Sequence, residues 1–211
     1  MSIVLVGSTS GSCTLQEQAV AGTTVLTLPT TSGTVLTSAS SIPTSQLTGS
    51  VTRSQLPTGS VLQVVQATKT DSFTTTSTSF TTPTGLSLSI TPSSSSNKIL
   101  IFANIGFEIS GDAGHGYGSI RRDSTDIFIG DAAGSRPRAT FAQNNSGGNG
   151  TVAFSMAYLD SPSTTSSTSY SINVRSSNGT TVFVNRSVRD NNGTDFDGRT
   201  VSSIIAMEIA A

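Results

Sequence analysis

The chain has 211 residues, enough for one ordinary domain with an extension. Charged residues make up 11% of it, Ser and Thr supply about a third, and the formal net charge is -1, so no long-range field favours nucleic acid or an anionic membrane. One cysteine, Cys13, excludes an intrachain disulfide and a thiolate metal cluster within a single chain.

The first apolar run, Ser2-Ile-Val-Leu-Val-Gly7, lacks a basic flank and is too short for a signal-peptide core, and no apolar stretch reaches bilayer-spanning length. The expectation is a soluble chain made in the cytoplasm, without a signal peptide and without membrane insertion. Cys13 reads as a small, half-buried residue. Residues 1–60 then repeat short phrases: Gly22-Thr-Thr-Val-Leu-Thr-Leu28 returns as Gly33-Thr-Val-Leu-Thr-Ser38, and Ser45-Gln-Leu-Thr-Gly-Ser50 returns as Ser54-Gln-Leu-Pro-Thr-Gly-Ser60. Such short units carry only two or three apolar side chains each and cannot bury a core alone, so they need stacking or a partner surface. Val25, Leu26, Leu28, Val35 and Leu36 are the candidate attachment residues. A disordered Ser/Thr linker is the alternative reading of this composition, and the regular placing of those side chains argues against it.

Beyond residue 60 helix formers are scarce and apolar residues recur at every second position, which predicts an all-β head over residues 61–211. Leu86, Leu88 and Ile90 alternate with serines. The clearest strand covers residues 98–109, with Ile99, Ile101, Ala103, Ile105, Phe107 and Ile109 on one face. Residues 127–129 and 139–141 add two short strands. Residues 151–159 alternate Val152, Phe154, Met156 and Tyr158 with small residues, and the expected place of this strand is in the core. Tyr170, Ile172 and Val174, then residues 180–185 and 201–209, complete the series. Between them stand turn signals, among them Thr91-Pro92 with four serines, Ser110-Gly-Asp, Asn145-Ser-Gly-Gly-Asn-Gly150, Asn178-Gly179 and Asn192-Gly193. Many short strands at this spacing read as an antiparallel β-sandwich, jelly-roll-like.

Candidate chemistry is sparse. The segments near 110–118, 131–138, 143–150 and 188–198 read as display loops on the scaffold. His115, the single histidine, lies in the Gly-rich stretch Asp112-Ala-Gly-His-Gly-Tyr-Gly118 without a second ligand, so it reads as a loop histidine, and neither metal nor cofactor is expected. Asp190-Asn-Asn-Gly-Thr-Asp-Phe-Asp-Gly198 is rich in oxygen donors but departs from the EF-hand spacing, and Asn-Gly and Asp-Gly are ordinary turn formers. Arg121, Arg122, Arg136 and Arg138 concentrate positive charge. They suit an acidic sugar or a neighbouring subunit's carboxylate, or else pair locally with Asp123, Asp126 and Asp131. With His115 and Tyr117 they form the candidate receptor or intersubunit contact set.

A nucleophilic triad lacks its Gly-x-Ser-x-Gly elbow. Glycan hydrolysis needs two acids about 5 to 9.5 Å apart, which the sequence does not arrange from Glu108, Asp123, Asp126 or Asp131. The expectation is a chain without enzymatic activity.

The phrase Val20-Ala-Gly-Thr-Thr-Val-Leu-Thr-Leu-Pro-Thr-Thr-Ser-Gly-Thr-Val-Leu-Thr37, the Gln-Leu-Thr-Gly and Gln-Leu-Pro-Thr-Gly-Ser linker and the continuation Gly59-Ser-Val-Leu-Gln-Val-Val-Gln-Ala67 resemble fibre-type virion proteins of tailed phages, in the style of marine and cyanobacterial phages. The motif-level likeness covers residues 18–67. It implies a virion component in which residues 1–60 attach to other virion proteins and a β head faces outward, as a homotrimer. Two placements follow: a tail fibre that contacts a host surface glycan or protein, or a capsid-decorating head fibre. A glycan-hydrolysing tailspike is the third reading, weakened by the absence of Trp.

Overall fold

The computed structural model describes residues 3–6, 12–15, 52–111, 114–144, 150–193 and 197–211. They fall in two compact units, Met1–Ser50 and Val51–Ala211. In the first, β1 (Ile3–Val6) and β2 (Ser12–Leu15) pair antiparallel, with Ile3 opposite Leu15 and Val6 opposite Ser12. Val25, Leu26, Leu28, Val35 and Leu36, with the phrases repeated over residues 22–50, lie outside the described residues.

The second unit is all-β with antiparallel pairing. It opens on a 3-10 turn, Arg53–Gln55, where the Thr52 N–H donates to Gln55 Oε1 at 2.8 Å. Eleven strands follow: β3 (Val61–Lys69), β4 (Phe73–Thr75), β5 (Ser87–Ile90), β6 (Lys98–Ile109), β7 (His115–Arg122), β8 (Thr125–Ile127), β9 (Phe141–Asn144), β10 (Val152–Asp160), β11 (Thr168–Ser176), β12 (Val182–Val184) and β13 (Ser202–Ile209).

The first sheet is built on β6. One edge of β6 pairs with β10, from Val152 opposite Phe107 to Asp160 opposite Ile99. Its other edge is shared, because β13 pairs residues 98–104 and β12 pairs residues 107–109. β3 then pairs β13, and β4 pairs β12. In the second sheet β11 lies between β5 and β7, and β8 and β9 share the far edge of β7.

The two sheets enclose one core. Ile99, Ile101, Ala103, Ile105, Phe107 and Ile109 of β6 are buried, as their alternation predicts, and meet Ile120, Tyr170, Ile172 and Val174 of the second sheet. Burying each large aliphatic side chain contributes about 1.5–3 kcal/mol. The start and end of the unit are tied together, since Gly59 N–H donates to Ala210 O at 2.8 Å and Ala210 N–H to Ser60 O at 2.9 Å.

Four expectations are corrected. β10 is an edge strand among the described residues, not a core strand: it pairs with β6, Phe154 and Met156 pack partly inward, and Val152 and Leu159 are exposed. Alternation reports which face a side chain takes, not where its strand sits in the sheet. The Gly-rich stretch before Arg121 is a strand from His115 onward, not a display loop. Its glycines mark close approach: a Cβ on Gly118 would overlap the Phe141 ring, and one on Gly116 would press on the Phe107 ring. The expected strand at residues 127–129 ends at Ile127, and Phe128 turns into the left-handed region at φ 53°. β3 and β4 were not foreseen; in β3 the pairs Val61, Leu62 and Val64, Val65, each followed by Gln, break the alternation, and the ladder shifts register opposite Glu208 and Ile209.

Gly118→Ala is expected to destabilise the chain by about 1–3 kcal/mol in denaturant unfolding, because the core there has no room for a methyl group. Gly193→Ala, where nothing approaches within 4 Å, should stay within about 0.5 kcal/mol.

Candidate functional site

The four arginines divide into two pairs. Arg121 stands opposite Asp126 across the β7–β8 hairpin and grips it with two bonds, Nε to Oδ1 at 3.0 Å and Nη2 to Oδ2 at 3.2 Å; Ser119 Oγ donates to the same carboxylate at 2.8 Å. Arg122 reaches Asp160 at the end of β10, with Nη1 2.9 Å from both carboxylate oxygens, and the buried Tyr170 hydroxyl donates to Oδ2 at 2.7 Å. Burial is the largest single influence and works against the Arg122 charge, yet the bond to Asp160 together with the attraction of Asp160 and its acidic surroundings leaves the guanidinium pKa raised. Burial first, then the bond to Asp160, pushes the Tyr170 hydroxyl far above the ordinary tyrosine range. Both arginines therefore act as internal struts between elements.

Arg136 and Arg138 lie on the exposed segment between β8 and β9. Arg138 Nε donates to Gly130 O at 2.6 Å and Arg136 Nη1 to Ala133 O at 3.2 Å, so each guanidinium is steadied by a main-chain carbonyl. The segment is closed by Gly130 N–H to Ala139 O at 3.2 Å and by Thr140 Oγ1 to Phe128 O at 2.9 Å. Phe128, 43% exposed, stacks on Tyr158 of β10 with centroids 4.9 Å apart. A bulky residue with positive φ is strained, and this one carries a partly exposed aromatic ring on the same segment as two exposed cationic side chains. That combination suits a ligand with a flat apolar face and a carboxylate, such as an acidic sugar. The ring pair was not read from the sequence; Phe128 and Tyr158 are thirty residues apart and only the fold joins them.

His115 and Tyr117 sit at the opposite end of β7, about 20 Å from Arg122 by strand rise. His115 is exposed, its carbonyl accepting from Ser177 N–H at 2.9 Å, and the Tyr117 ring lies 4.8 Å beneath the Arg175 guanidinium. The candidate contact set is thus divided between the two ends of β7 and the segment between β8 and β9.

In the acidic loop, Asp190 pairs with Arg199 at 2.7 Å and Arg186 at 3.2 Å. Asp197 accepts from Ser187 Oγ at 2.5 Å and lies 3.4 Å from Arg189; the serine bond chiefly holds its carboxyl below the ordinary range. Asp195 lies outside the described residues. Among those described, no group of three or more His, Cys, Asp or Glu is placed to hold a metal, and no helix is long and apolar enough to cross a membrane.

Two buried glutamates behave oppositely. Glu108 Oε1 accepts from Ile109 N–H at 3.0 Å and Gln143 Nε2 at 3.3 Å, while Glu108 Oε2 and Gln143 Oε1 are buried acceptors without a donor. A proton on Oε2 turns one of these unpartnered acceptors into a donor, and burial raises the Glu108 pKa. Glu208 is buried too, but Ser93 Oγ, Asn97 Nδ2 and Gln63 Nε2 donate to it at 2.7 Å and Ser93 N–H at 2.5 Å. Burial pushes its pKa up, and these donors outweigh burial and leave it lowered.

No protein-family model matches the sequence, and no curated protein matches it significantly.

Because folded Glu108 holds its proton more tightly than the unfolded chain does, its stabilisation is complete below the ordinary pKa of 4.5 and fades as pH rises through the folded value. Glu208 contributes stability above 4.5 that is lost as pH falls through its depressed folded value. Thermal unfolding against pH should show Glu108→Gln gaining on the parent as pH rises, and Glu208→Gln losing most at neutral pH and converging with the parent in acid.

Proposed function

We propose that the chain is a structural component of a tailed-phage virion: a homotrimeric fibre in which residues 1–60 attach to other virion proteins and a jelly-roll-like head, residues 61–211, contacts the host surface. Supporting this reading is the sequence likeness over residues 18–67 to fibre-type virion proteins. The observation that carries the host-contact part is the contrast in how the head uses its charges. Arg121, Arg122, Asp126, Asp160, Asp190 and Asp197 are committed to internal pairs, whereas the segment from Phe128 to Arg138 presents an aromatic ring and two guanidinium groups outward. A non-enzymatic adhesive surface needs no more than this, and three-fold display multiplies a weak contact.

Antibody against the head, applied to intact particles carrying the chain, is expected to label the tail; label spread over the icosahedral shell would instead establish the capsid-decorating placement, and no label on either would overturn the virion reading. The triple variant Phe128→Ala, Arg136→Ala, Arg138→Ala should bind host cells at least about tenfold more weakly with an unchanged melting temperature. Equal binding by parent and variant would remove this segment from host contact.

A further inference from the structure

The outward face of the first sheet plays no part in the loop site, and two neighbouring rows of it are largely apolar. Side chains of the opposite parity to the core residues line up there across four strands. One row runs Leu159, Leu100, Met207, Val64 from β10 to β3, and the next places Phe102 and Ile205 between Ala157 and Gln66. Val64 is 56%, Leu159 46% and Phe102 42% exposed. These two rows contain no charged residue. Beside the projecting Phe102 ring is a shallow hollow of about 260 Å³, walled by Asn104, Ser155, Ser203 and Ile205.

The face continues into a sheet edge that carries no protection. β3, at the far margin, has Gln63, Gln66 and Lys69 and faces a register shift. β10 runs nine residues in unbroken register, with no proline and no charge before Asp160, and pairs on one side only among the described residues. Long, uncharged, regular edges invite pairing with another strand, and soluble monomers blunt them with charge, proline or bulges.

We infer that this face, from the β10 edge across Phe102 and Ile205 to Val64, is where a second copy of the chain docks. Chemistry selects the occupant. A polyanion needs Lys or Arg and a basic partner needs carboxylates, and the two rows offer neither. Copies related by a rotation axis bring this same face together at the axis, where the Phe102 ring of one meets the hollow of the next. An unpaired strand edge is matched by main chain alone, which another copy supplies. The inference rests on the self-assembly in the reading above and specifies its surface.

The test is the mass of the full chain by light scattering, parent beside the variant Phe102→Glu, Ile205→Glu, with Ser167→Glu, exposed just before β11 of the other sheet, as a control. The parent and the control are expected at a multiple of 21.6 kDa and the double variant at 21.6 kDa with an unchanged far-ultraviolet circular dichroism spectrum. Hydrogen exchange on the parent needs no substitution: amides of residues 152–159 should gain protection as concentration rises. An assembled double variant with concentration-independent exchange in β10 overturns this interface and leaves the trimer reading standing. A dimeric parent dissociated by the variant keeps the interface and overturns the trimer. A monomeric parent overturns both. If the double variant misfolds, the exchange result on the parent decides.

Discussion

The head depends on one close contact, the seating of two phenylalanine rings on a glycine strand. Phe107 comes from β6 and Phe141 from β9, with centroids 5.3 Å apart in an edge-to-face pair, and they occupy the space that side chains at Gly116 and Gly118 would take. Phe154 of β10 stacks on Phe141 at 4.6 Å, so the ring cluster joins both sheets and an edge strand. Phe141 is the cross-strand partner of Gly118, while Phe107 reaches across from the other sheet, so a methyl group at Gly116 would press the two sheets apart at that end. The same juxtaposition of β6 and β9 brings Glu108 against Gln143.

A chain with so few charges satisfies its buried polar groups by other means. Short hydroxyl bonds close the turns, as where Ser93 and Asn97 fold the 91–97 loop around Glu208, or where Ser202 Oγ donates to Asn185 Oδ1 at 2.5 Å and Asn185 Nδ2 in turn donates to Lys69 O at 2.9 Å. Most ion pairs close local hairpins and loops, such as Arg121 to Asp126 and Arg199 to Asp190, and Arg122 to Asp160 alone among those described joins elements distant in sequence. Surface charge is therefore scarce, and the few side chains that project freely stand out chemically.

How far the sequence could be read follows the same logic. The bounds of β6 and its core face were legible, because a strand with one buried face has a period of two. The sequence suggests burial on both faces at the start of β6 and on one at the end, and the structure reverses this, with both faces buried from Ile105 to Ile109. β7 was hidden because its core-facing positions are glycines, which local reading takes for flexibility and which only the incoming rings explain. The Arg121–Asp126 pair was within reach, since a two-residue turn at Asp123-Ser124 sets those residues opposite each other. Arg122 to Asp160, Glu208 to Ser93 and Phe128 to Tyr158 span thirty to more than a hundred residues and depend on sheet order, which no short-range pattern encodes. The place of β10 at the sheet margin failed to show for that reason too.

The antiparallel pairing of β3 with β13 has a mechanical consequence. β3 leaves residue 60 at the end where Lys98 and Ile209 meet and runs toward the end where β6 reaches Ile109. Tension entering through residue 60 and delivered at the far end runs along the strands, so the β3–β13 ladder is loaded in shear and its bonds resist together. Tension between residue 60 and residue 211 would start at a single end and peel the same bonds one after another. The second unit therefore resists tension along its strands better than tension that draws residues 60 and 211 apart.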